Sequence, residues 1–276
     1  MRTLNHQQIV DRLIAFQREV RDVVMRSHGT VGGHEVSHAT AADTIYKIDT
    51  DVEPLLEAFC AEWAKETPLV LVAEGIEVDE EYGGEEGVKI FPEGAKEDDA
   101  QIRLIVDPID GTREYLQGIP EYALSVGLTV AGRAVLGVVY NPATEELFAE
   151  QVNGAAEREP SRLQRSKYDV LVGRGEHNYE DIPPLPPGAR VHGVGSVAYR
   201  LALLAAGKKG DAVLTGYGRM EWDVAAGVAL CLAAGLRVTD VLGEPLVFNK
   251  PSPHIRGLLV AEPGLHQRIA EHMDDW

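Results

Sequence analysis

The sequence predicts a layered sandwich of alternating helices and sheets, of mixed α+β and α/β character, with an antiparallel first sheet and a mixed second sheet. Two observations carry that expectation. Apolar residues recur at helical spacing near the amino terminus and then give way to short strand-like runs, and the second half alternates strands with helices. With 276 residues, 45% of them hydrophobic and 25% charged, the chain can bury one large core or two closely packed lobes. The lobes are expected at residues 1–150 (α+β) and 151–276 (α/β).

Ile9, Leu13, Phe16, Val20 and Val24 recur at three- and four-residue steps, which predicts a helix from about Asn5 to Ser27, closed by Gly29. A second helix is expected from Asp51 to Lys65, with Leu55, Phe59 and Trp63 on one side. Leu69 to Ala73 and Ile102 to Val106 read as short strands, each followed by an acid, Glu74 and Asp107. Between them lies an acidic loop, Glu77 to Asp99. Alternation from Tyr122 to Val130, a turn at Ala131-Gly132 and a return through Val135, Gly137 and Val139 predict an antiparallel hairpin. A polar stretch runs to Lys167. It is followed by a strand (Tyr168 to Val172), a proline-rich loop, a strand (Arg190 to Val194), a helix (Ser196 to Lys208) and a strand (Ala212 to Thr215). A helix from Asp223 to Ala234, strands at Leu236 to Thr239 and Gly257 to Ala261, and a closing helix complete the chain.

Forty-four acidic against twenty-six basic residues give a formal charge of −18, which argues against nucleic-acid binding, because phosphate contacts need a positive surface. The same field repels a small phosphorylated substrate, so such a ligand would require bound cations or a local basic pocket. Cys60 and Cys231 sit in apolar helical contexts with no CxxC pair, as expected of buried thiols in a reducing compartment. The first residues carry no apolar signal-peptide core and no run of 18 apolar residues occurs, so a cytoplasmic, non-membrane protein is expected.

Val106-Asp107-Pro108-Ile109-Asp110-Gly111-Thr112 is the most informative segment. Two carboxylates three apart at a strand end, with a proline stiffening the turn, can point at one spot and form a cation site. Oxygen ligands without nearby Cys or His favour Mg²⁺ over zinc. Gly111 and Thr112 then open a helical turn whose amides can bind phosphate. An ordinary Asp-capped turn is the plainer alternative for this segment. Asp223 likewise has a plainer reading, as a helix cap or macrodipole partner.

Taken together, these motifs resemble the inositol monophosphatase superfamily of Mg²⁺-dependent phosphatases, which includes fructose-1,6-bisphosphatases and 3′(2′),5′-bisphosphate nucleotidases. Asp107 to Thr112 match Asp-Pro-Ile/Leu-Asp-Gly-Thr, Trp222 to Gly227 match Trp-Asp-x-Ala-Ala/Gly-Gly, and Glu74 matches a Glu at a strand end. Thr50-Asp51-Val52-Glu53, preceded by Ile48-Asp49, is a weaker match to Thr-Asp-x-x-Val-Glu. The resemblance implies a phosphoric monoester hydrolase in which Glu74, Asp107, Asp110, Asp223 and the Ile109 carbonyl hold two or three Mg²⁺ ions, with Li⁺ as an inhibitor. It also implies that Asp49, Thr112 and Glu74 act on the attacking water, and that the protein is a homodimer. Gly75 stands where many relatives carry a second acid.

For the substrate, Asp110-Gly111-Thr112-Arg113-Glu114-Tyr115 is similar to the bisphosphate nucleotidase (CysQ-like) branch, and Glu221-Trp222-Asp223 leans the same way. Gly216 replaces the Glu with which inositol-specific relatives contact the sugar hydroxyls. Ser196, Arg200 and Gly216 are therefore the substrate-side candidates, Arg200 as a planar cation for a second phosphate or else a solvated helix charge. The expected substrate is 3′-phosphoadenosine 5′-phosphate, with an inositol monophosphate or a sugar (bis)phosphate as the alternative.

Two motifs point elsewhere. His34-Glu35-Val36-Ser37-His38 fits the helical zinc signature of metalloproteases, but surrounding glycines and β-branched residues favour a loop. Gly193-Val194-Gly195-Ser196-Val197-Ala198 fits a loose dinucleotide-binding pattern, although no acid follows at the expected place and Ser196 serves better as a helix N-cap. Gly75 also raises the alternative of a catalytically silent homologue.

Overall fold

A computed structural model of the chain describes residues 6–27, 36–39, 44–74, 76, 87–97, 100, 102–152, 166–178, 182–250 and 252–273. The first half carries α1 (His6–Ser27), β1 (Val36–Ala39), β2 (Thr44–Tyr46), α2 (Lys47–Ala64), β3 (Leu69–Ala73), β4 (Val88–Phe91), β5 (Ile102–Asp110), α3 (Thr112–Leu116), β6 (Ala123–Val130), β7 (Arg133–Asn141) and β8 (Glu146–Gln151). The second half carries β9 (Tyr168–Val172), α4 (Arg174–Asn178), β10 (Ala189–Gly193), α5 (Val197–Ala205), β11 (Ala212–Thr215), β12 (Arg219–Met220), α6 (Glu221–Ala233), β13 (Arg237–Thr239), β14 (His254–Ile255), β15 (Leu258–Ala261) and α7 (Pro263–Met273).

Five layers follow from which side chains each strand sends to which face. Leu69, Leu71 and Ala73 of β3, with Leu104 and Val106 of β5, pack under Leu13, Phe16 and Val20 of α1 and Val52, Leu56 and Cys60 of α2. The alternate residues Val70, Val72 and Ile105 point the other way, into a core shared with Leu201 of α5, Val224 and Val228 of α6, and Leu171 and Val213 of the second sheet. On that sheet's far face, Val170, Leu214 and Leu259 pack against Ile269 and Met273 of α7. The order is thus helices, sheet, helices, sheet, helix, as the alternating pattern predicts.

The first sheet runs β4-β3-β5-β6-β7-β8 among the described residues. It is mixed, which corrects the purely antiparallel expectation: β3 and β5 run parallel, with Ala73 opposite Val106, while the other pairs are antiparallel. The cause is β4, inside the segment read as a loop. It reverses the chain once on the outer side of β3, and the second reversal brings β5 back in β3's direction. The second sheet, β10-β9-β11-β15-β13, combines parallel and antiparallel pairs, as expected. β5 extends past the expected Val106 to Asp110, with its register to β6 broken between Asp107 and Asp110, where Pro108 lacks an N–H for the ladder. Val36–Ala39 forms a strand paired with β2, not the helix the zinc signature needs; His34 and Glu35 lie outside the described residues.

A glycine pair seats α6. Gly127 and Gly137 face each other across β6 and β7. A Cβ on Gly137 would lie 2.1 Å from the Ala226 carbonyl oxygen, and one on Gly127 would lie 2.8 Å from the Ala225 Cβ. Only bare backbone lets α6 approach this closely, so its Ala225–Ala226 stretch is held against the sheet. Gly137→Ala is expected to push α6 away and destabilise the fold by about 1–3 kcal/mol, read as a lower urea midpoint at unchanged m-value.

Candidate active site

At the carboxyl end of β5, Asp107, Asp110 and Asp223 each bring one carboxylate oxygen within 4.8 Å of the others. Asp107 is fully buried, and its Oδ1 accepts the Ile109 amide at 2.9 Å, which curls the Pro108 turn back on itself. The Asp110 Oδ2 accepts the Ser196 hydroxyl at 2.6 Å and the Ala198 amide at 2.5 Å, so the start of α5 holds it. The Asp223 Oδ2 accepts the Met220 amide at 2.8 Å, the helix-cap bond expected of an acid in the first turn of α6. Its cap role and its place in the cluster are compatible, because a carboxylate has several acceptor positions. Glu74, just past β3, hydrogen-bonds Asp107 without joining the trio.

Charge here is frustrated. Burial pushes the Asp107 carboxyl well above the usual range, and the charges of Glu74, Asp110 and Asp223 push it the same way. Burial also raises Asp110, opposed by the Ser196 hydroxyl, the Ala198 amide and the nearby Arg200 and Arg219. A compact, largely buried set of oxygen donors with mutually repelling charges suits a hard divalent cation such as Mg²⁺. The Ile109 carbonyl accepts the Thr112 hydroxyl at 3.0 Å, and Gly111, at φ 95°, makes the left-handed turn into α3. Asp49 lies in the first turn of α2, a turn earlier than the expected helix start, and its side chain lies outside the described residues, as do Gly75, Glu77 and Asp79.

The substrate-side candidates all lie within internal hydrogen-bond networks. Ser196 caps α5, its Oγ accepting the Tyr199 amide at 3.0 Å, and donates its proton to Asp110, so it braces a member of the acidic trio. Arg200 is only 2% exposed, so it is not a solvated helix charge. Its Nη1 donates to the Val194 carbonyl at 2.7 Å, its Nε and Nη2 are shielded with no hydrogen-bond partner, and burial lowers its pKa to about 10. Gly216 donates its amide to Glu176 Oε1 at 2.9 Å. Glu114, the residue that suggested the nucleotidase branch, is buried, and a Cβ on Gly195 would lie 2.4 Å from its Cγ. Glu114 shapes the turn before Ser196.

Sequence reasoning missed Glu121, Arg174, Glu176 and Arg219. Glu121 Oε2 accepts the Gly195 amide at 2.8 Å and Arg174 Nη2 at 2.6 Å, fixing the same turn from the other side. Glu176 accepts the amides of Gly173 at 2.6 Å and Gly216 at 2.9 Å, and Arg219 Nη2 at 3.0 Å. Burial opposes its ionisation, but Arg219, Arg200 and those amides hold its pKa below the usual value. The one signal available was the run Gly173-Arg174-Gly175-Glu176 directly after a strand, charges set between glycines at a sheet end.

Comparison with known proteins agrees with this architecture. Residues 5–275 match the inositol monophosphatase family. The inositol-1-monophosphatase of Rhizobium meliloti (strain 1021) is 32% identical over 237 residues, 79% of this chain and 80% of the relative. That of Mesorhizobium japonicum is 39% identical over 160 residues, 53% of this chain and 59% of the relative, so this chain spans less than two thirds of that protein's length. Among solved structures, the extragenic suppressor protein suhB of Bartonella henselae superposes with a TM-score of 0.72 at 23% identity, covering 97% of this chain and 98% of that one. CysQ of Bacteroides thetaiotaomicron superposes with a TM-score of 0.67 at 21% identity, covering 94% and 99%. No described helix is long and apolar enough to cross a membrane. With the whole-length match, the shared fold and an acidic trio at the motif positions, this chain belongs to the inositol monophosphatase family, whose members are phosphoric monoester hydrolases.

Proposed function

We propose that this chain hydrolyses the phosphate monoester of a small metabolite by direct attack of water, with Mg²⁺ held by Asp107, Asp110, Asp223, Glu74 and the Ile109 carbonyl. The observation that carries the reading is the approach of three carboxylates to within 4.8 Å of one another, where their mutual repulsion, poorly screened at a largely buried site, would otherwise keep them apart. When bound, Mg²⁺ supplies charge neutralisation on the phosphoryl oxygens and a water of lowered pKa. The chain's own residues do the rest. Ser196 and the Ala198 amide fix the Asp110 rotamer; Thr112, tied to the Ile109 carbonyl, would orient the water, and Glu74, beside Asp107, would take its proton. Asp49 joins Thr112 by its motif position, and the amides at Gly111 and Thr112 are the phosphate contacts. In this reading residues 1–150 supply all these groups except Asp223 and the Ser196 and Ala198 brace, which come from residues 151–276.

Among substrates we put 3′-phosphoadenosine 5′-phosphate first. Gly216 offers no side-chain acceptor for a polyol, and the cation of Arg219 stands three residues on. Inositol 1-phosphate is the second reading, favoured by the names of the relatives that are 30% identical or more.

Three outcomes test the reading. Phosphate release from a panel of both compounds and sugar phosphates should require Mg²⁺ and vanish in EDTA, and Asp110→Asn should lower it at least about 100-fold; activity that survives EDTA would remove the mechanism. Ser196→Ala should weaken Mg²⁺ binding by about 10- to 100-fold in calorimetry, because the Asp110 carboxylate loses its brace. The third concerns stability. A buried carboxyl whose pKa is raised on folding binds its proton more tightly in the folded state, so the metal-free fold loses stability as pH climbs from the normal carboxylate range through the raised value. Asp107→Asn keeps an acceptor for the Ile109 amide and removes the charge. In EDTA at neutral pH it should melt higher than the parent, by about 2–4 °C per kcal/mol relieved, and should gain less from added Mg²⁺.

A further inference from the structure

A chain of charge −18 gathers cations at one place. Arg200 and Arg219 flank a single carboxylate, Glu176, beside the acidic trio; both arginines are close enough to Asp110 to oppose the rise in its pKa, and Arg219 also interacts with Asp223. The two cations are not equivalent. Arg200 is sealed inside, whereas the Arg219 side chain is 32% exposed.

Glu176 fixes Arg219 from below. Both Glu176 oxygens are occupied, Oε2 by the Gly173 amide and Oε1 by the Gly216 amide and Arg219 Nη2, so one carboxylate ties the ends of β9 and β11 to the arginine. Only Nη2 of the Arg219 guanidinium is so used, and its Nε is buried without a hydrogen-bond partner. From Gly216 to Asp223 the segment is pinned at both ends, by Glu176 at Gly216 and by the Met220 amide on Asp223. An arginine held four residues before Asp223 therefore has little freedom to swing away.

Resting on the phosphatase reading above, we propose that Arg219, clamped by Glu176, is a specificity-determining residue that recognises a second anionic group on the substrate, so that the site prefers a phosphomonoester carrying a further phosphate or carboxylate over the phosphate of a neutral polyol. A polyol is held by acceptors for its hydroxyl protons; an anion is held by a fixed fork of donors. The rim from Gly216 to Arg219 contains no carboxylate, and its one charged side chain is Arg219, 32% exposed. Glu176 is a positioning residue, and its charge also keeps the arginine from collapsing onto Asp223.

The test compares the parent, Arg219→Met, Arg219→Lys and Glu176→Gln in two measurements. In the first, kcat/KM is measured with Mg²⁺ on adenosine 3′,5′-bisphosphate and on inositol 1-phosphate, and the ratio is taken. Arg219→Met should lower the ratio by about 10- to 100-fold, the worth of a charge-assisted hydrogen bond, Arg219→Lys should recover part of it, and Glu176→Gln should lower it less. A ratio unmoved by Arg219→Met, with both substrates lost together or neither affected, overturns the proposal. In the second, calorimetric titration of adenosine 3′,5′-bisphosphate into Asp110→Asn protein, with and without Arg219→Met, gives affinity without turnover. A matching loss of affinity supports the proposal and equal affinities overturn it. Absence of Mg²⁺-dependent phosphate release from either compound is the separate failure of the phosphatase reading, and the binding measurement still decides the role of Arg219.

Discussion

Three carboxylates forced together in a largely buried pocket are the constraint on which the rest of this molecule depends. Left alone, Asp107, Asp110 and Asp223 repel, and burial deprives them of water that would screen the repulsion. The surrounding structure answers with fixed donors. Each acid is given at least one short hydrogen bond from an element that cannot easily retreat: the Ile109 amide, the start of α5, and the first turn of α6. Such an arrangement stores electrostatic strain that a divalent cation would release, which links metal binding to folding stability.

Those donors are themselves held at one remove. Glu121 grips the Gly195 amide so that Ser196 arrives at Asp110, and Gly195 must be glycine because Glu114 and the Glu121 carbonyl fill the space of a Cβ. Ser196 pays with an unusual backbone, φ 39°, for being both helix cap and brace. Bare backbone at Gly127 and Gly137 does the corresponding work for α6. The precision of the acidic site thus lies in glycines and in acids that lie outside the trio.

Much of this was legible in the sequence. Helical spacing found α1, α2, α5, α6 and α7, and apolar runs found β3, β6, β7, β9 and β11, because burial imposes a period and a length on each. The Asp-Pro-Ile-Asp-Gly-Thr segment named two of the three clustered acids, and Trp222-Asp223 the third. What escaped has a physical reason. β4 alternates with charge at Lys89 and has only Phe91 fully buried, so its apolar signal is weak. Arg200 reads on the sequence as a phosphate-binding cation or a solvated charge, and its burial escapes, since a lone arginine in an otherwise apolar helix carries no local mark of the carboxylate waiting across the fold. Glu176 and Arg219 lie 43 residues apart and make sense only as a pair.

The single parallel neighbourhood in the first sheet has a consequence of scale. Because β3 and β5 point the same way with Ala73 level with Val106, their next residues, Glu74 and Asp107, emerge side by side beyond one rim. Had the two strands been head to tail, Glu74 would have left the opposite rim, roughly 17 Å distant for a five-residue strand at about 3.3 Å per residue. The modest hairpin partner β4, poorly marked and half exposed, is therefore what sets the polarity by which a fourth acid comes to stand beside the other three.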